Sequence, residues 1–278
     1  MSSAARIEAL IHEMGSGPVF VHSDPFRTAR LVDRVRDPGA YVDAHIALLV
    51  EAAGPRLWLP SFNYDFAKSH EFDVKRTESQ LGPIPERFRL TAAEWRTPVP
   101  MFSFAGTGTA TMPGWGNDTD PFGEDSMFAR LVSDDGVVLF YGETFQYATI
   151  IHHAERIGAG PVYRYDKVFP GTVLTDDGAA VPGSLRCHVR PLGSGLDYDW
   201  PRLLDQAIAA GVLRRMEKNP EVLAANARSL CDLWVSEMRH DPFALLDEKT
   251  RKWAEPAVEE MGRRFLISDF ESPEPIHF

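Results

Sequence analysis

The sequence predicts an α/β fold in which a mixed sheet is flanked by helices, with a smaller β-rich subregion after a central helix. Up to Gly160, short apolar runs typical of buried strands alternate with amphipathic segments of helical period. After Gly160 the apolar runs are shorter and are broken by proline, glycine and an Asp-Asp-Gly triplet, which is typical of antiparallel hairpins.

Strands and helices are predicted in alternation along the first half of the chain. In order, we predict a helix at Ala4–Met14, a strand at Pro18–His22, a helix at Tyr41–Ala52, a strand at Arg56–Pro60, an insertion rich in charge and proline at Tyr64–Pro100, a strand at Met101–Gly106, a turn-rich stretch at Pro113–Gly123, a helix at Met127–Leu131 and a strand at Val137–Tyr141. The run ATIIHHAERI that follows reads as another helix.

The second half carries the β-rich subregion, which we place at about residues 161–192. Helices are predicted at Leu203–Ala210 and Pro220–Met238, and the tail from Arg251 onward shows no strong periodicity. No internal repeat or low-complexity tract interrupts the chain. We therefore expect residues 1–278 to form a single domain.

Composition is that of an ordinary globular enzyme. With 278 residues, 44% of them hydrophobic, the chain can bury a sizeable core. No apolar run reaches the roughly 18 residues of a membrane span, and the N-terminus mixes acids and bases unlike a signal peptide, so we expect a cytoplasmic protein. Cys187 and Cys231 lack metal-type spacing and fit a reducing compartment. A net charge of −11 argues against a nucleic-acid partner.

Polar side chains follow the strand Val137–Tyr141, where a strand's carboxyl end leads into a helix. Thr149, His152 and Glu155 are spaced three apart and can share one helix face, whereas His153 points roughly 100° away. His152 is therefore the better catalytic candidate of the two histidines. On spacing alone, a satisfied structural histidine is the more common outcome for such a pair.

Several further motifs stand in order along the chain. They are VFVHS at Val19–Ser23, LPSFNYDF at 59–66, SQLGPIPERF at 79–88, Arg96-Thr97, DPFGEDSMFARL at Asp120–Leu131 and VVLFYGETFQYATIIHHAE at 137–155. Together they resemble the aminoglycoside N-acetyltransferase family that acylates the amine on carbon three of the antibiotic. Each motif alone is weak, but short chance matches are rarely collinear.

One segment departs from the family pattern. Members that modify antibiotics usually carry a His-Pro-x-His-Ser segment after an Arg-Ser pair, and here Val99 and Phe102 stand in place of both histidines. Apolar replacements at two polar positions indicate a different acceptor. The resemblance also extends to relatives in surface-polysaccharide pathways, which look like acyltransferases for the amine of a nucleotide-linked amino sugar.

The resemblance implies acetyl-CoA as acyl donor, a small-molecule amine as acceptor and no metal. His152 suits the general base, because an unperturbed pKa near ~6.5 leaves a neutral imidazole able to accept the amine proton. We expect Asp65 to bind the substrate amine and Glu86 to orient His152, with Asp65 as the other candidate orienter. Glu155, on the same helix as His152, is expected to face solvent or to cap a neighbour.

The remaining site residues are expected from these motifs. The substrate-binding candidates are Tyr64, Asp65, Val99, Phe102 and Thr149, and the cofactor-binding candidates are His22, Ser23, Arg96, Ser103 and Ser126. The pair His22-Ser23 ends a strand, so the hydroxyl and the following amides could meet the pantetheine or the phosphates of coenzyme A.

Other functions stay open at this point. The protein could acetylate aminoglycosides and confer resistance, or it could be a non-catalytic homologue that binds coenzyme A or a sugar. A metal-dependent hydrolase is disfavoured, because adjacent histidines diverge on a helix and neither H-x-H nor H-E-x-x-H is present. The acceptor, the length of the acyl group and the oligomeric state are not specified by the sequence, a homo-oligomer being one alternative.

Overall fold

Two β-sheets organise the computed structural model, which describes residues 1–158 and 160–271. The strands are β1 (Val19–Ser23), β2 (Leu57–Pro60), β3 (Glu71–Asp73), β4 (Trp95–Arg96), β5 (Phe104–Gly106), β6 (Val137–Tyr141), β7 (Tyr165–Leu174), β8 (Ala180–Val189), β9 (Leu213–Met216) and β10 (Asn219–Asn226). The helices are α1 (Ser3–Met14), α2 (Pro38–Ala53), α3 (Phe66–Ser69), α4 (Pro83–Thr91), α5 (Met127–Ser133), α6 (Ile151–Ile157), α7 (Trp200–Ala209), α8 (Ala227–His240), α9 (Glu248–Met261) and α10 (Ile267–Phe270).

The larger sheet has seven strands in the order β4-β5-β2-β1-β6-β10-β9. Its centre is parallel, since β1 pairs in parallel with both β2 and β6, and the outer strands join antiparallel. Strands β2, β1 and β6 are covered on both faces, which explains their continuous apolar sequences. Their carboxyl ends lie at one edge of the sheet, and the candidate site lies there.

Each face of this sheet has its own hydrophobic core. Strand β1 shows the division, because Val19 and Val21 point to one face and Phe20 points to the other. Helices α1, α2 and α4 cover the first face, and α5, α6 and α8 cover the second. No helix in the described part of the chain has the length and apolar character that a membrane crossing requires.

The smaller sheet has the order β3-β7-β8 and is built on the β7–β8 hairpin. The hairpin pairs Tyr165 with Val189 at one end and Leu174 with Ala180 at the other, and β3 adds in parallel to β7. This hairpin is the predicted β-rich subregion. The predicted fold class, a mixed sheet flanked by helices with a smaller β-rich part, is therefore confirmed, while the assignment of a single domain stays a prediction.

One expectation about the second half is wrong. The segment Pro220–Met238 is not one helix, because β10 occupies Asn219–Asn226 and α8 begins only at Ala227, where the Asn226 side chain accepts from the Ser229 amide. The tail contains α9 and α10 up to Phe270, and its last residues, 272–278, lie outside the described residues.

The segment between the insertion and β5 has an unusual backbone. Met101 lies in the left-handed region with φ of 62°, although it is not glycine. Its carbonyl accepts from the Asn63 amide at 3.3 Å, which ties the turn to the chain after β2. The turn sends Phe102 towards a group of aromatic rings and Ser103 into a buried polar network.

Candidate active site

Helix α6 places His152 beside Glu155. Because the two residues are three apart on the helix, their side chains share a face, and His152 Nδ1 lies 3.0 Å from Glu155 Oε2. The Glu155 side chain is fully buried, whereas the His152 side chain is 24% exposed. The expectation that Glu155 faces solvent is wrong: it is the buried carboxylate behind the imidazole.

The Glu155 carboxylate accepts hydrogen bonds at both oxygens. Oε1 accepts from the Tyr198 hydroxyl at 2.7 Å, from the Tyr163 hydroxyl at 2.9 Å and from Arg164 Nε at 3.3 Å. Oε2 accepts from His152 and, at 3.1 Å, from His188 Nε2. Burial alone would raise the pKa of Glu155, but the Arg164 charge and the histidine hydrogen bonds hold it well below its usual value. The carboxylate therefore stays ionised.

An ionised carboxylate can only accept, so His152 carries its proton on Nδ1. The same Nδ1 lies 3.3 Å from the Tyr198 hydroxyl oxygen, which also accepts from Arg164 at 2.7 Å. Burial lowers the pKa of His152, the hydrogen bond to Glu155 raises it and the Arg164 charge lowers it further, with a net lowering. The ring is therefore neutral near pH 7, and Nε2 offers a lone pair to a proton donor.

Aromatic rings continue from His152 along one side of the site. We call Tyr64, Phe102 and Phe122 the aromatic wall. The Phe122 ring lies 5.2 Å from the His152 ring, Phe102 lies 4.7 Å from Phe122, and Tyr64 lies 5.9 Å from Phe102. His153 points away from His152, as its position on the helix predicts, and donates to the Phe122 carbonyl at 2.7 Å. His153 thus supports the aromatic wall.

A cleft of about 240 Å³ opens at the carboxyl ends of β1, β2 and β6. It is lined by His22, Ser23, Pro60, Gln80, Leu81, Pro85, Glu143 and Tyr147. In the part of the chain that the structure describes, His22 Nε2 and Ser23 Oγ are buried without a hydrogen-bond partner. Burial lowers the pKa of His22 to about 3, so the ring is neutral. These two groups are available to a ligand.

The cleft is connected to two predicted substrate residues through Gln80. Its side-chain oxygen accepts from the Tyr64 amide at 2.9 Å, and its nitrogen donates to Asp65 Oδ2 at 2.9 Å. Thr149 lies ahead of α6, where its hydroxyl donates to the Tyr147 carbonyl at 3.2 Å. Of the predicted residues, His22, Ser23, Tyr64, Asp65 and Thr149 therefore lie on or next to the cleft.

Two predicted site residues lie elsewhere. Glu86 accepts from the Arg89 guanidinium at 2.6 Å and from the Ser79 amide at 2.7 Å, so its carboxylate supports the start of α4 and does not orient His152. Val99 is only 4% exposed and packs in the core under the smaller sheet, where it also lines a small cavity with Phe102. The orienting role of Glu86 is wrong because its carboxylate is already committed to the fold, while the role of Val99 at the acceptor stays a prediction.

The three other predicted cofactor residues are also structural. Arg96 donates to the carbonyls of Ser61, Val74 and Thr77 and to Ser103 Oγ, at distances from 2.6 to 3.2 Å. The Ser103 hydroxyl donates to the Ser61 carbonyl. The Ser126 side chain accepts from the Ala129 amide and caps α5. Their polar atoms are occupied within the protein, which corrects the predicted cofactor role.

Among the residues that the structure describes, His152, Glu155 and His188 form the group that could hold a metal, with ligand atoms within 4.8 Å of one another. Each of the two imidazoles, however, already donates to Glu155, and Arg164 supplies the positive charge that a cation would bring. The arrangement suits proton transfer by a histidine with a carboxylate behind it better than metal binding.

Sequence reasoning missed the partners of Glu155. Tyr163, His188 and Tyr198 lie 8, 33 and 43 residues from it along the chain, and no spacing rule connects them. Only the helical spacing of His152 and Glu155 was a usable signal. The β7–β8 hairpin and the loop before α7 bring the other residues to the carboxylate.

The chain is similar in sequence to proteins of one known family. The family model for aminoglycoside 3-N-acetyltransferase matches residues 50–238. Aminoglycoside N(3)-acetyltransferase VII of Streptomyces paromomycinus is 36% identical over 94 residues, covering 33% of each chain. Aminoglycoside N(3)-acetyltransferase VIII of Streptomyces fradiae is 35% identical over 86 residues, covering 30% of each. The matched segment thus spans about a third of these curated relatives.

Solved structures agree over most of the chain. AAC-IIIb in binary complex with CoASH has a TM-score of 0.66 at 21% identity, covering 86% of this chain and 97% of that one. The aminoglycoside acetyltransferase AAC(3)-Xa gives 0.65 at 21% identity, covering 87% and 93%. The YokD protein of Bacillus subtilis gives 0.63 at 15% identity, covering 86% and 94%. At these identities the likeness shows a shared fold.

Proposed function

Because this chain belongs to the aminoglycoside 3-N-acetyltransferase family, we propose that it transfers the acetyl group of acetyl-CoA to the amine of an amino sugar. The observation that carries the proposal is the His152–Glu155 pair. Its buried carboxylate holds the Nδ1 proton of a partly exposed imidazole and leaves Nε2 as the base.

The chemistry requires a neutral amine. The amine nitrogen attacks the thioester carbon while His152 Nε2 takes a proton from it, and the carbon–sulfur bond then breaks to release the thiol, which can take up that proton. The imidazolium formed in between is stabilised by the ionised Glu155 3.0 Å away. General-base catalysis of this kind contributes about 10²–10⁴-fold.

Coenzyme A is proposed to enter the cleft at the carboxyl ends of the parallel strands. The unpaired His22 Nε2 and Ser23 Oγ support this placement, because buried polar atoms without partners are costly unless a ligand uses them. Burial raises the pKa of the Glu143 carboxyl, which lines the cleft, and the nearby Arg27 charge opposes that rise. Arg27 therefore offers a positive charge near this cleft residue for a phosphate.

The aromatic wall supports a small acceptor with an apolar face. Phe102 contacts Phe122, which contacts His152, so an acceptor amine at Nε2 is close to apolar rings. A polycationic aminoglycoside placed there would leave hydroxyl and ammonium groups unpaired, at about 1–3 kcal/mol each. An aminodeoxy sugar would lose less, and we propose a nucleotide-linked one. The second candidate is an aminoglycoside, favoured by the names of the Streptomyces relatives.

The activity is tested by thiol release from acetyl-CoA with a panel of amines. We expect His152→Ala to lower kcat by about a hundredfold or more while leaving the affinity for coenzyme A little changed. His12→Ala is the matched control, since that side chain is 59% exposed and lies on α1. A fully active His152→Ala variant would remove His152 from the mechanism.

The same assay separates the other functions. Slow thioester consumption with every amine would favour a non-catalytic homologue. Activity that is lost on metal removal and restored by zinc would favour a hydrolase.

The acceptor is tested by specificity constants measured side by side for a nucleotide-linked aminodeoxy sugar and for gentamicin. We expect the aminodeoxy sugar to be preferred by at least about tenfold, the scale of one unpaired polar group. Phe102→His should narrow that preference, because it adds a polar group to the aromatic wall. A clear preference for gentamicin in the wild-type enzyme would contradict the acceptor assignment and leave acetyl transfer intact.

A further inference from the structure

We infer that His188 is a positioning residue for the reaction, fixing the Glu155 oxygen that holds the His152 proton. The inference rests on the proposed function, because it assigns a role at the same base. His188 lies on β8 of the smaller sheet, and its Nε2 donates to Glu155 Oε2 at 3.1 Å. His152 Nδ1 donates to the same oxygen at 3.0 Å.

The two carboxylate oxygens are held from opposite elements. Oε1 is held by Arg164 and by the hydroxyls of Tyr163 and Tyr198. Within residues 1–158 and 160–271, Oε2 is held by the two histidines alone. With Oε1 fixed, the donor from β8 determines how far Oε2 can rotate, and hence where the His152 ring lies. His188 thereby links the smaller sheet to the base on α6.

The burial of His188 suits it to hold the Glu155 carboxylate in place. Its side chain is fully buried, and the Phe122 ring lies 5.4 Å from it as well as 5.2 Å from His152. One phenylalanine thus packs against both imidazoles. A buried donor at this position is costly unless it is used, and its one partner among the described residues is Glu155.

The protonation state of His188 fits a donor and excludes a second base. The groups facing it are His152 and Glu155 from α6 and Arg164 from the segment before β7. Burial lowers the pKa of His188 to about 4, despite the raising effect of Glu155, so the ring is neutral where a base must work. A neutral ring donating from Nε2 takes electron density from Oε2 without competing for the amine proton.

Losing that donor has a predictable direction. With one donor fewer, Oε2 interacts more strongly with His152. This raises the pKa of His152, because the carboxylate then stabilises the protonated imidazolium more strongly. A looser carboxylate also holds the ring less well. Both effects lower the rate at slightly acidic pH and leave the coenzyme A cleft unchanged.

The test compares His188→Gln with His188→Asn. The glutamine amide nitrogen reaches the position of Nε2, whereas the shorter asparagine amide does not, so the pair differs in reach and not in chemistry. We expect Gln to keep kcat within about threefold, and Asn to lower kcat about tenfold and shift the acid limb of its pH profile upward. The KM for acetyl-CoA should be the same in both.

The kinetics of the two variants test whether His188 positions Glu155. Equal kcat and equal pH profiles for the Gln and Asn variants would overturn the inference, whether both are active or both are impaired. Urea unfolding of each variant shows whether a difference in rate follows a difference in stability, which would also overturn it. If His152→Ala is inactive while His188→Asn behaves as wild type, only the role of His188 fails. If His152→Ala is fully active, the proposed function fails first.

Discussion

Glu155 and Arg96 are both buried charged residues, yet their hydrogen-bond partners differ in kind. Glu155 accepts from side chains only, and one of these, His152, reaches the surface. Arg96 donates mostly to main-chain carbonyls, and its remaining partner is the buried Ser103 hydroxyl. The first network ends at solvent, and the second is closed.

The difference shows how the buried charge proposed for catalysis can be separated from a structural one. The carbonyls that Arg96 binds belong to Ser61 after β2 and to Val74 and Thr77 after β3, so the guanidinium joins separate segments of the chain. Glu155 instead fixes the tautomer of a ring that can exchange a proton with a ligand. Burial and charge alone do not distinguish the two residues; the chemistry of their partners does.

The largest expected effect is on stability. Arg96→Met leaves the Val74 and Thr77 carbonyls and Ser103 Oγ without the guanidinium as donor, while the Ser61 carbonyl keeps the Ser103 hydroxyl. We expect the free energy of unfolding to fall by about 3–5 kcal/mol. Activity per folded molecule should stay within about threefold of wild type. Arg87→Met is the control, because its ion pair with Asp43 is 46% and 45% exposed, and an ion pair screened by solvent contributes little to stability. Urea unfolding measures both. A stable variant with a much higher KM for acetyl-CoA would restore the cofactor role of Arg96.

The second expected effect is on turnover. In Glu155→Gln, the amide oxygen must face the three donors at the Oε1 side, which turns the amide nitrogen towards His152 and His188. His152 then has to carry its proton on Nε2, and the base is lost, so kcat should fall by about a hundredfold or more. Glu86→Gln should stay within about threefold. Steady-state kinetics of both variants would contradict the network if the Glu86 variant were the impaired one.

The third expected effect is on pH dependence. Burial and the Arg164 charge lower the pKa of His152 more than Glu155 raises it, so the base becomes protonated only below its ordinary value of 6.5. Activity requires the unprotonated ring, so kcat/KM should fall about tenfold per pH unit on an acid limb that lies below pH 6.5. A pH profile of the wild-type enzyme measures it. An acid limb above pH 6.5 would mean that Glu155 dominates over burial.

The smallest expected effect belongs to a carboxylate outside both networks. Asp65 is exposed and accepts from Gln80, which lines the cleft. Asp65→Asn should raise the KM of the acceptor by about three- to tenfold, on the scale of one hydrogen bond to a charged group, and leave the KM for acetyl-CoA unchanged. Initial rates with either substrate varied give both constants. Equal changes in the two would indicate a folding defect.

Much of the fold follows from local pattern. The apolar run Val137–Tyr141 is a strand over its predicted length, because a strand buried on both faces needs only a continuous apolar sequence. The same property explains the failure at β10, whose run VLAA at 222–225 is also buried on both faces and contains helix-favouring residues. An apolar segment without alternation does not distinguish a central strand from a buried helix.

The site was less predictable than the fold. The sequence predicted a carboxylate behind His152 but favoured Glu86 or Asp65 over Glu155, since a residue on the same helix gave no sign of being buried. Its burial depends on Tyr163, His188 and Tyr198, which arrive through the pairing of β7 with β8 and the packing of the following loop. Long-range packing of this kind leaves no periodic trace in a single sequence.

The left-handed turn at Met101 bears on how the acceptor can change during evolution. After the turn, Phe102 belongs to the aromatic wall, and the next residue, Ser103, joins the closed network of Arg96. The proposed recognition role and the supporting role therefore lie at two neighbouring positions. If Phe102 contacts the acceptor as proposed, a substitution at 102 alters the substrate while the scaffold is preserved, whereas an insertion or deletion here disturbs both roles.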